Sequence, residues 1–599
     1  MGLAFSSLAA LAQSADDTVV VTANRQPVRA SALLSDVSVL DREDIERAGG
    51  RSLTEVLGRE PGVQFLANGG LGTSSSVFIR GMEARHTLVL IDGMRFGSAT
   101  LGQPSLENLP LETIERIEIV RGPLSSLYGS EAAGGVIQLF TRQGQQGVHP
   151  NASTTVGSNR YGQLSAGVAA GDGPWTGALQ LQHQQTDGFS ATNERHPFGS
   201  FNPDDDGFRQ NAASASLGYR FSPDWRVGVR ALSSEGRSQI DDGPDVDSLV
   251  DLKSGFAGID LVGRPTTGWQ SALRLARTSD SYETVRTDPA SFTDLGTIRT
   301  VQEQLSWDNT VATPAGDLLL LAERLRQRVT KPVADYDITS RTIDALAIGL
   351  NGRADRHLWQ ASLRHDRNSQ YGTQNTGSLA YGFQFAPAWR VGAAAGTSFV
   401  APSFNQLYWP GFGNPDVVPE EGRNGELSLR FDQGGHRVGL VAFRNRVENC
   451  FISGPQLQQV KQCRFDGETL TVDGRAANLA WSAAYDHVNA RNDTDGHADQ
   501  GKRLARRAAH TLKADLDAEW GPLGMGGSVL AVGERFDDAA NTVRLPGFAT
   551  LDLRADWRFL PDWTLQARLN NLADRQYETV YGYNQPGREL YVTLRWAPR

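Results

Sequence analysis

The sequence predicts a transmembrane antiparallel β-barrel of about 22 strands, with an α+β N-terminal domain lodged inside its lumen as a plug. Three observations carry that expectation. The composition has 64 Gly, 12 Trp and 13 Tyr but only 2 Cys and 4 Met, with 39% hydrophobic residues. That suits a barrel, where only every second residue meets lipid. Beyond residue 145 the chain alternates: Trp175, Gly177, Leu179 and Leu181 fall on one face, Thr176, Gln180 and Gln182 on the other. Trp563, Leu565, Ala567 and Leu569 oppose Thr564, Gln566, Arg568 and Asn570 in the same way. A soluble sandwich also alternates, and the third observation decides between them. "FSPDWRVGVR", "FAPAWRVGAA" and "FLPDWTLQAR", at Phe221, Phe385 and Phe559, repeat a tight Pro turn between aromatics. Aromatics beside short turns fit the periplasmic rim of a barrel, and the long Asp/Asn/Gly-rich segments between them fit extracellular loops.

The remaining bulk properties exclude other classes. The densest apolar run, Leu318 to Ala322, is far too short to cross a bilayer as a helix. A net charge of -10 argues against nucleic acid as the main partner. The leader "MGLAFSSLAALAQSADD" has an apolar stretch and an Ala-Leu-Ala site at Ala10 to Ala12. It reads as a signal peptide over 1–15 and an exported chain. No Lys or Arg precedes its apolar part, so either the start lies upstream or the leader is unusual.

"DDTVVVTANR", Asp16 to Arg25, is strand-prone because of its β-branched run, yet nothing beside it in sequence looks ready to pair with it. "DREDIERAGGRSLTEVLGREPGV" then reads as helical, and "HTLVLIDGMRF" and "RIEIVRG" as strands, which together make a compact α+β domain over 26–145. Residues 146–599 form the barrel domain. At roughly 20 residues per strand with its share of loop, that length yields about 22 strands. A barrel this wide needs a plug, and the N-terminal domain is the candidate. Cys450 and Cys463 flank "FISGPQLQQVKQ". In an exported chain they are expected to form a disulfide closing a surface hairpin, with two buried thiols as the alternative.

"VFIRGMEARHTLVLIDGMRF" (Val77 to Phe96) and "IERIEIVRGPLSSLYGSEAAGGVIQLFTR" (Ile114 to Arg142) resemble the plug motifs of TonB-dependent outer-membrane transporters. "DTVVVTANR" resembles the TonB box of the cobalamin-transporting branch of that family, as do "TSFVAPSFNQLYWPGFGNPDVVPEE" and "NNLADRQYETVYGYNQPGREL" its late strands. The resemblance makes 16–25 the TonB box segment, with Asp17, Thr18, Val19, Val20, Val21 and Thr22 binding TonB by strand addition. It implies a monomer in the bacterial outer membrane, among lipid and lipopolysaccharide, with no enzymatic activity. Arg80, Arg121 and Arg142 are expected either to pair with carboxylates on the barrel wall or to be solvated on the plug. The chain ends "LRWAPR", where Trp596 stands in for the terminal Phe expected of the family.

The resemblance also supplies sites. Structural calcium ions would be held by Asn202, Asp204 and Asp206 from "FNPDDDGF" and by Ile240 (through its carbonyl), Asp241 and Asp251 from "QIDDGPDVDSLVD". Hard oxygens from two loops suit Ca²⁺, and a solvated acidic loop is the alternative. Ser190 stands where the family has a carboxylate. The corrinoid would meet Ser74, Ser76, Leu101 and Gly102 on the plug and Thr297 and Arg506 on barrel loops. Glu83 replaces an expected amide, and Ala540 an expected aromatic. The expected function is TonB-dependent uptake of cobalamin or a related corrinoid. A siderophore or haem receptor is the alternative, with His183 and His196 available as haem contacts. A passive porin would have neither plug nor TonB box, and none of the ten histidines sits in a nucleophile-type motif.

Overall fold

The computed structural model describes residues 19–20, 22–244, 246–286, 296–330, 336–452 and 458–598. The leader and Asp17, Thr18 and Val21 of the tail lie outside the described residues. The tail that seemed to lack a neighbour has one: β1 (Val19–Val20) pairs antiparallel with β2 (Val28–Arg29). A turn over 22–26 folds the chain back on itself, a short-range pairing that the polar "TANRQP" had hidden.

The helical stretch forms two short helices. After β3 (Asp36–Leu40), α1 (Arg42–Ala48) is opened by a reciprocal capping box between Asp41 and Asp44. It is closed by Gly49 at φ 69, a conformation that glycine adopts without penalty. Helix α2 (Leu53–Gly58) starts on a Ser52 cap. The hairpin of β4 (Val63–Ala67) and β5 (Ser75–Ile79) follows. "HTLVLIDGMRF" splits into β6 (Thr87–Ile91) and β7 (Met94–Phe96), joined by Asp92 and Gly93 at φ 49 and 86. Positive φ at both central residues is the Asp-Gly hairpin turn. Then come β8 (Ile114–Arg121), α3 (Ser125–Tyr128) and β9 (Gly135–Thr141). The plug sheet runs β3-β8-β9-β6-β7, with only β6 and β9 parallel. Its core of Ile45, Leu53, Leu57, Ile117, Ile119 and Ile137 is fully buried, as in any soluble domain.

From β10 (Gly147–Gly157), 22 antiparallel strands close a barrel, the last being Glu589–Trp596. Closure pairs Gly157 with Tyr591 and Ala152 with Trp596, so the chain's last tryptophan lies in the sealing ladder. The three repeated motifs form the tight turns Ser222–Trp225, Ala386–Trp389 and Leu560–Trp563. After β11 (Tyr161–Asp172), β12 (Trp175–Phe189) shows the inverted alternation plainly. Leu179 and Leu181 are 45% and 48% exposed on the outer face, whereas Gln180 and Gln182 are 1% and 5% exposed on the lumen side. Cys450 and Cys463 form a disulfide with Cα atoms 5.8 Å apart. It is not a surface clasp: both cysteines are buried in one cluster with the plug residues Met82 and Ala133. The lumen is filled, so a bridge across a wall hairpin is pressed against the plug.

Candidate functional site

The outward-facing end of the plug is built from two neutral loops. The β4–β5 hairpin turns through Asn68–Ser74, where the Asn68 N–H donates to the Ser74 carbonyl at 3.0 Å. Gly72 has φ 76 and faces the Phe208 ring, so a Cβ there would collide with it. Ser74 at the tip is exposed and Ser76 half-buried. The second loop closes when the Gly102 N–H donates to the Ser98 carbonyl at 2.7 Å, with Gly102 at φ 82. It is tied to the wall through the Thr100 N–H, which donates to Thr300 Oγ1 at 3.2 Å, and Leu101 is left 37% exposed. Both loops thus present hydroxyls, backbone groups and one leucine, without charge.

On the wall, Thr297 opens the strand Thr297–Thr313 and is half-buried. Arg506 is held at φ 66 and donates Nε and Nη2 to the two Asp537 oxygens at 2.8 and 3.2 Å. Its charge is therefore matched within the loop. Glu83 accepts from Arg85 at 2.8 Å and from Arg507 at 2.8 Å. Burial opposes its ionisation, yet Arg85 and Arg507 hold its carboxyl well below the usual range. Ala540 is exposed at the tip of a small hairpin formed by Arg535–Phe536 and Arg544–Leu545. His183 sits on the outer face of β12, bonded to Asn211 at 2.8 Å, and so not in a ligand-facing loop as expected. His196 does lie in a loop, buried edge-on against Tyr583 at 4.9 Å.

The acidic residues gather at one end of the barrel, above β13 (Asp206–Ser222), β14 (Trp225–Gly243) and β15 (Val246–Thr266). Carboxylate oxygens of Asp204, Asp241 and Asp247 all lie within 4.8 Å of one another. Asp206 is 3% exposed; its Oδ2 accepts from the Ala191 N–H at 2.7 Å, while its Oδ1 has no partner. One oxygen each of Asp204 and Asp241 is likewise buried and unpartnered. Asn202 Nδ2 donates to Asp247 at 2.8 Å, and the Ser190 hydroxyl to the Asn202 carbonyl at 3.0 Å. Burial and Asp247 together push the Asp204 carboxyl above its usual range. Asp251 is not gathered in: it is opposite Arg237 and bonded to it at 2.5 and 2.7 Å. Asp247, which sequence reasoning passed over, is there instead. The β14–β15 hairpin pairs Asp241 with Asp247 and Ile240 with Ser248, a register the "DDGPD" turn could have indicated.

At the opposite side of the plug, the described part of the N-terminal tail is docked. The Thr22 N–H and hydroxyl donate to Glu118 Oε2 at 2.8 and 2.6 Å, and the Tyr128 hydroxyl donates to the Thr22 carbonyl at 2.8 Å. Arg25 bridges to Asp308 and Glu323 on the barrel wall at 3.8 and 3.5 Å and covers the Tyr128 ring at 4.7 Å. Of the three motif arginines, only Arg80 crosses to the wall, donating to Glu426 at 2.6 Å and to Asp36 of the plug at 3.0 Å. Arg121 pairs with Asp36 and Glu60, and Arg142 with Glu112 and Glu115, all within the plug.

A plug-filled 22-strand barrel with a docked N-terminal tail defines an energised outer-membrane receptor, and comparison with known proteins agrees. Residues 29–136 match the TonB-dependent Receptor Plug Domain and residues 142–572 the TonB dependent receptor-like β-barrel. The chain belongs to the TonB-dependent receptor family, whose members are transporters of the outer membrane and not enzymes. Among curated relatives, it is 31% identical to the vitamin B12 transporter BtuB of Photobacterium profundum, over 99% of this chain and 97% of that protein. It is 29% identical to BtuB of Vibrio cholerae, over 96% of this chain and 95% of that protein. Among solved structures, the siderophore receptor PirA of Acinetobacter baumannii superposes with a TM-score of 0.82 at 17% identity, covering 95% and 99% of the two chains. The ferric enterobactin receptor PfeA of Pseudomonas aeruginosa gives 0.81 at 20% identity, covering 97% and 100%. At such identities these two structures speak for the fold alone.

Proposed function

We propose that this protein imports cobalamin or a related corrinoid, using TonB to move the plug. The observation that carries the reading is the likeness to vitamin B12 transporters over 99% of the chain, at 31% identity. The neutral apex supports it: Ser74, Ser76, Leu101 and Gly102 offer hydroxyl, backbone and apolar contacts to a large amide-fringed ligand, with Thr297 and Arg506 contributing from the wall. Ferric siderophores and haem are the alternative cargoes. Of the two histidines available for haem, His183 faces outward and only His196 remains.

Calcium belongs to the same proposal. Asn202, Asp204, Asp206, Asp241 and the carbonyl of Ile240 would hold it, with Asp247 completing the set; Asp251 could join only by leaving Arg237. Hard oxygens in excess of their hydrogen-bond donors are the donor set calcium takes. An ion held there would neutralise carboxylates that otherwise repel and so favour the contacts that the 190–206 segment already makes with the β14–β15 hairpin. TonB would add a strand to Asp17, Thr18, Val19, Val20, Val21 and Thr22 once Thr22 leaves Glu118. The working unit is taken as a monomer among lipid and lipopolysaccharide.

Equilibrium binding of cyanocobalamin, haemin and a ferric siderophore to the purified protein, with and without calcium, tests the reading. Calcium-strengthened cyanocobalamin binding is expected. Binding of haemin or the ferric chelate alone would replace it. Val20→Pro should abolish energised uptake while leaving binding unchanged, because proline removes a ladder donor.

A further inference from the structure

Two cavities lie one below the other on a single seam between plug and wall. The upper encloses about 1210 Å³, part of it open to the outside; it begins beside Gly69–Thr73 and Arg506 and descends past Thr550. The lower, of about 520 Å³ counted with the open space it adjoins, lies between α1 and the strands that close the barrel, where Thr155, Arg568 and Arg595 line it. The last strand records the descent: Glu589 faces the upper cavity, Tyr591, Thr593 and Arg595 the lower. Alternate residues of one strand face one side, so these side chains form a ladder down the lumen wall.

One residue lines both cavities, Arg51 of the plug, just before the Ser52 cap of α2. Its Nη1 donates to Glu589 at 2.9 Å and to the Tyr591 hydroxyl at 2.8 Å, and its Nη2 to Glu55 at 2.9 Å. The guanidinium stands 5.6 Å from the Tyr591 ring, which packs edge-on to Tyr161 at 5.3 Å. The polar link across this partition is Arg51, reaching from plug to wall beside a small apolar cluster of plug Leu71 with Tyr161, Phe208 and Tyr591. It differs from the Met82 side of the plug, where apolar packing against the disulfide fills the contact. A polar partition can part by exchanging its hydrogen bonds for water, whereas an apolar contact cannot.

We propose that this seam is the permeation route through the barrel, and that Arg51, Glu589 and Tyr591 are its gate. The proposal rests on the reading as a transporter but not on which cargo it carries. Potassium-ion conductance of the purified full-length protein in planar bilayers tests it without any cargo, so its failure is distinguishable from failure of the corrinoid reading. Glu589→Gln and Tyr591→Phe should each raise the open fraction, by about tenfold for Glu589→Gln, as expected on weakening one charge-assisted hydrogen bond. Adding Thr550→Cys and modifying it with a bulky thiol reagent should abolish that conductance. The native cysteines, bonded to each other, do not react. Glu426→Gln, which disturbs the Arg80 contact elsewhere, provides the control: any leak it causes should be insensitive to the same modification. Conductance no higher than wild type in both gate variants, or conductance unaffected by modified Cys at position 550, would overturn the assignment.

Discussion

The plug and the barrel bury opposite things. The plug hides Ile45, Leu57, Ile117 and Ile119 in a core that Leu232 and Phe256 of the wall join, and it reaches other parts of the wall through arginines and carboxylates. The barrel turns Leu179, Leu181 and Leu273 outward and lines its lumen with Gln180, Gln182, Ser234 and Thr300. A wall facing lipid is sealed by its strand ladder, and its lumen meets the plug through polar pairs together with apolar patches such as the one at Met82.

Substitutions can break this contrast, starting with the largest effect. Ile119→Asp places a carboxylate in the plug core and should destabilise the plug by about 4 kcal/mol. The barrel should persist, read as retained heat-modifiable mobility on gels alongside a large conductance; loss of both together would show that the two regions fold as one. Arg80→Ala strands Glu426 and should loosen the plug by about 3 kcal/mol, measured as earlier plug unfolding in urea by a site-specific spin label. Leu181→Arg on the lipid face should cost the barrel about 2–3 kcal/mol, while Gln182→Arg on the lumen side should cost it far less. Equal costs would mean that the two faces are not distinguished.

The smallest expected effect concerns the loops that connect the two regions to the outside. Asp247→Asn should weaken calcium binding about tenfold, whereas Asp251→Asn should leave it nearly unchanged, by calorimetry. The pH dependence has a definite sign. Asp204 has a carboxyl pKa raised by burial and by Asp247, so the cation-free loops bind more protons than the unfolded chain. That contribution is present at low pH and lost as pH rises through the raised value. Calcium, which competes with those protons, should therefore bind more tightly as pH rises through the same window.

Much of the architecture was legible in the residues themselves. Period-two alternation fixed which side of β12 meets lipid, because side chains of a strand have only two directions. The Phe-Pro-Trp turns marked three of the short connections, and "DREDIERAGGRSLTEVLGREPGV" was legible as helical. Errors arose where an answer depended on register or on packing across the lumen. Asp251 had the right chemistry, but hairpin register placed it opposite Arg237 and gave its place to Asp247. His183 was polar and available, but strand parity turned it outward. The disulfide is no surface clasp, and nothing in "FISGPQLQQVKQ" reveals that its wall faces Met82.

By itself the sequence determined a barrel, its approximate strand number, a folded stopper and a strand-prone leading tail, since each follows from local periodicity and chain length. Only the tertiary structure decided what touches what across the lumen. Arg51 meets Glu589 across 538 residues, and Arg25 meets Glu323 across a wall that exists only once 22 strands have closed. Such contacts depend on shear and register summed over the whole barrel, which no local pattern encodes.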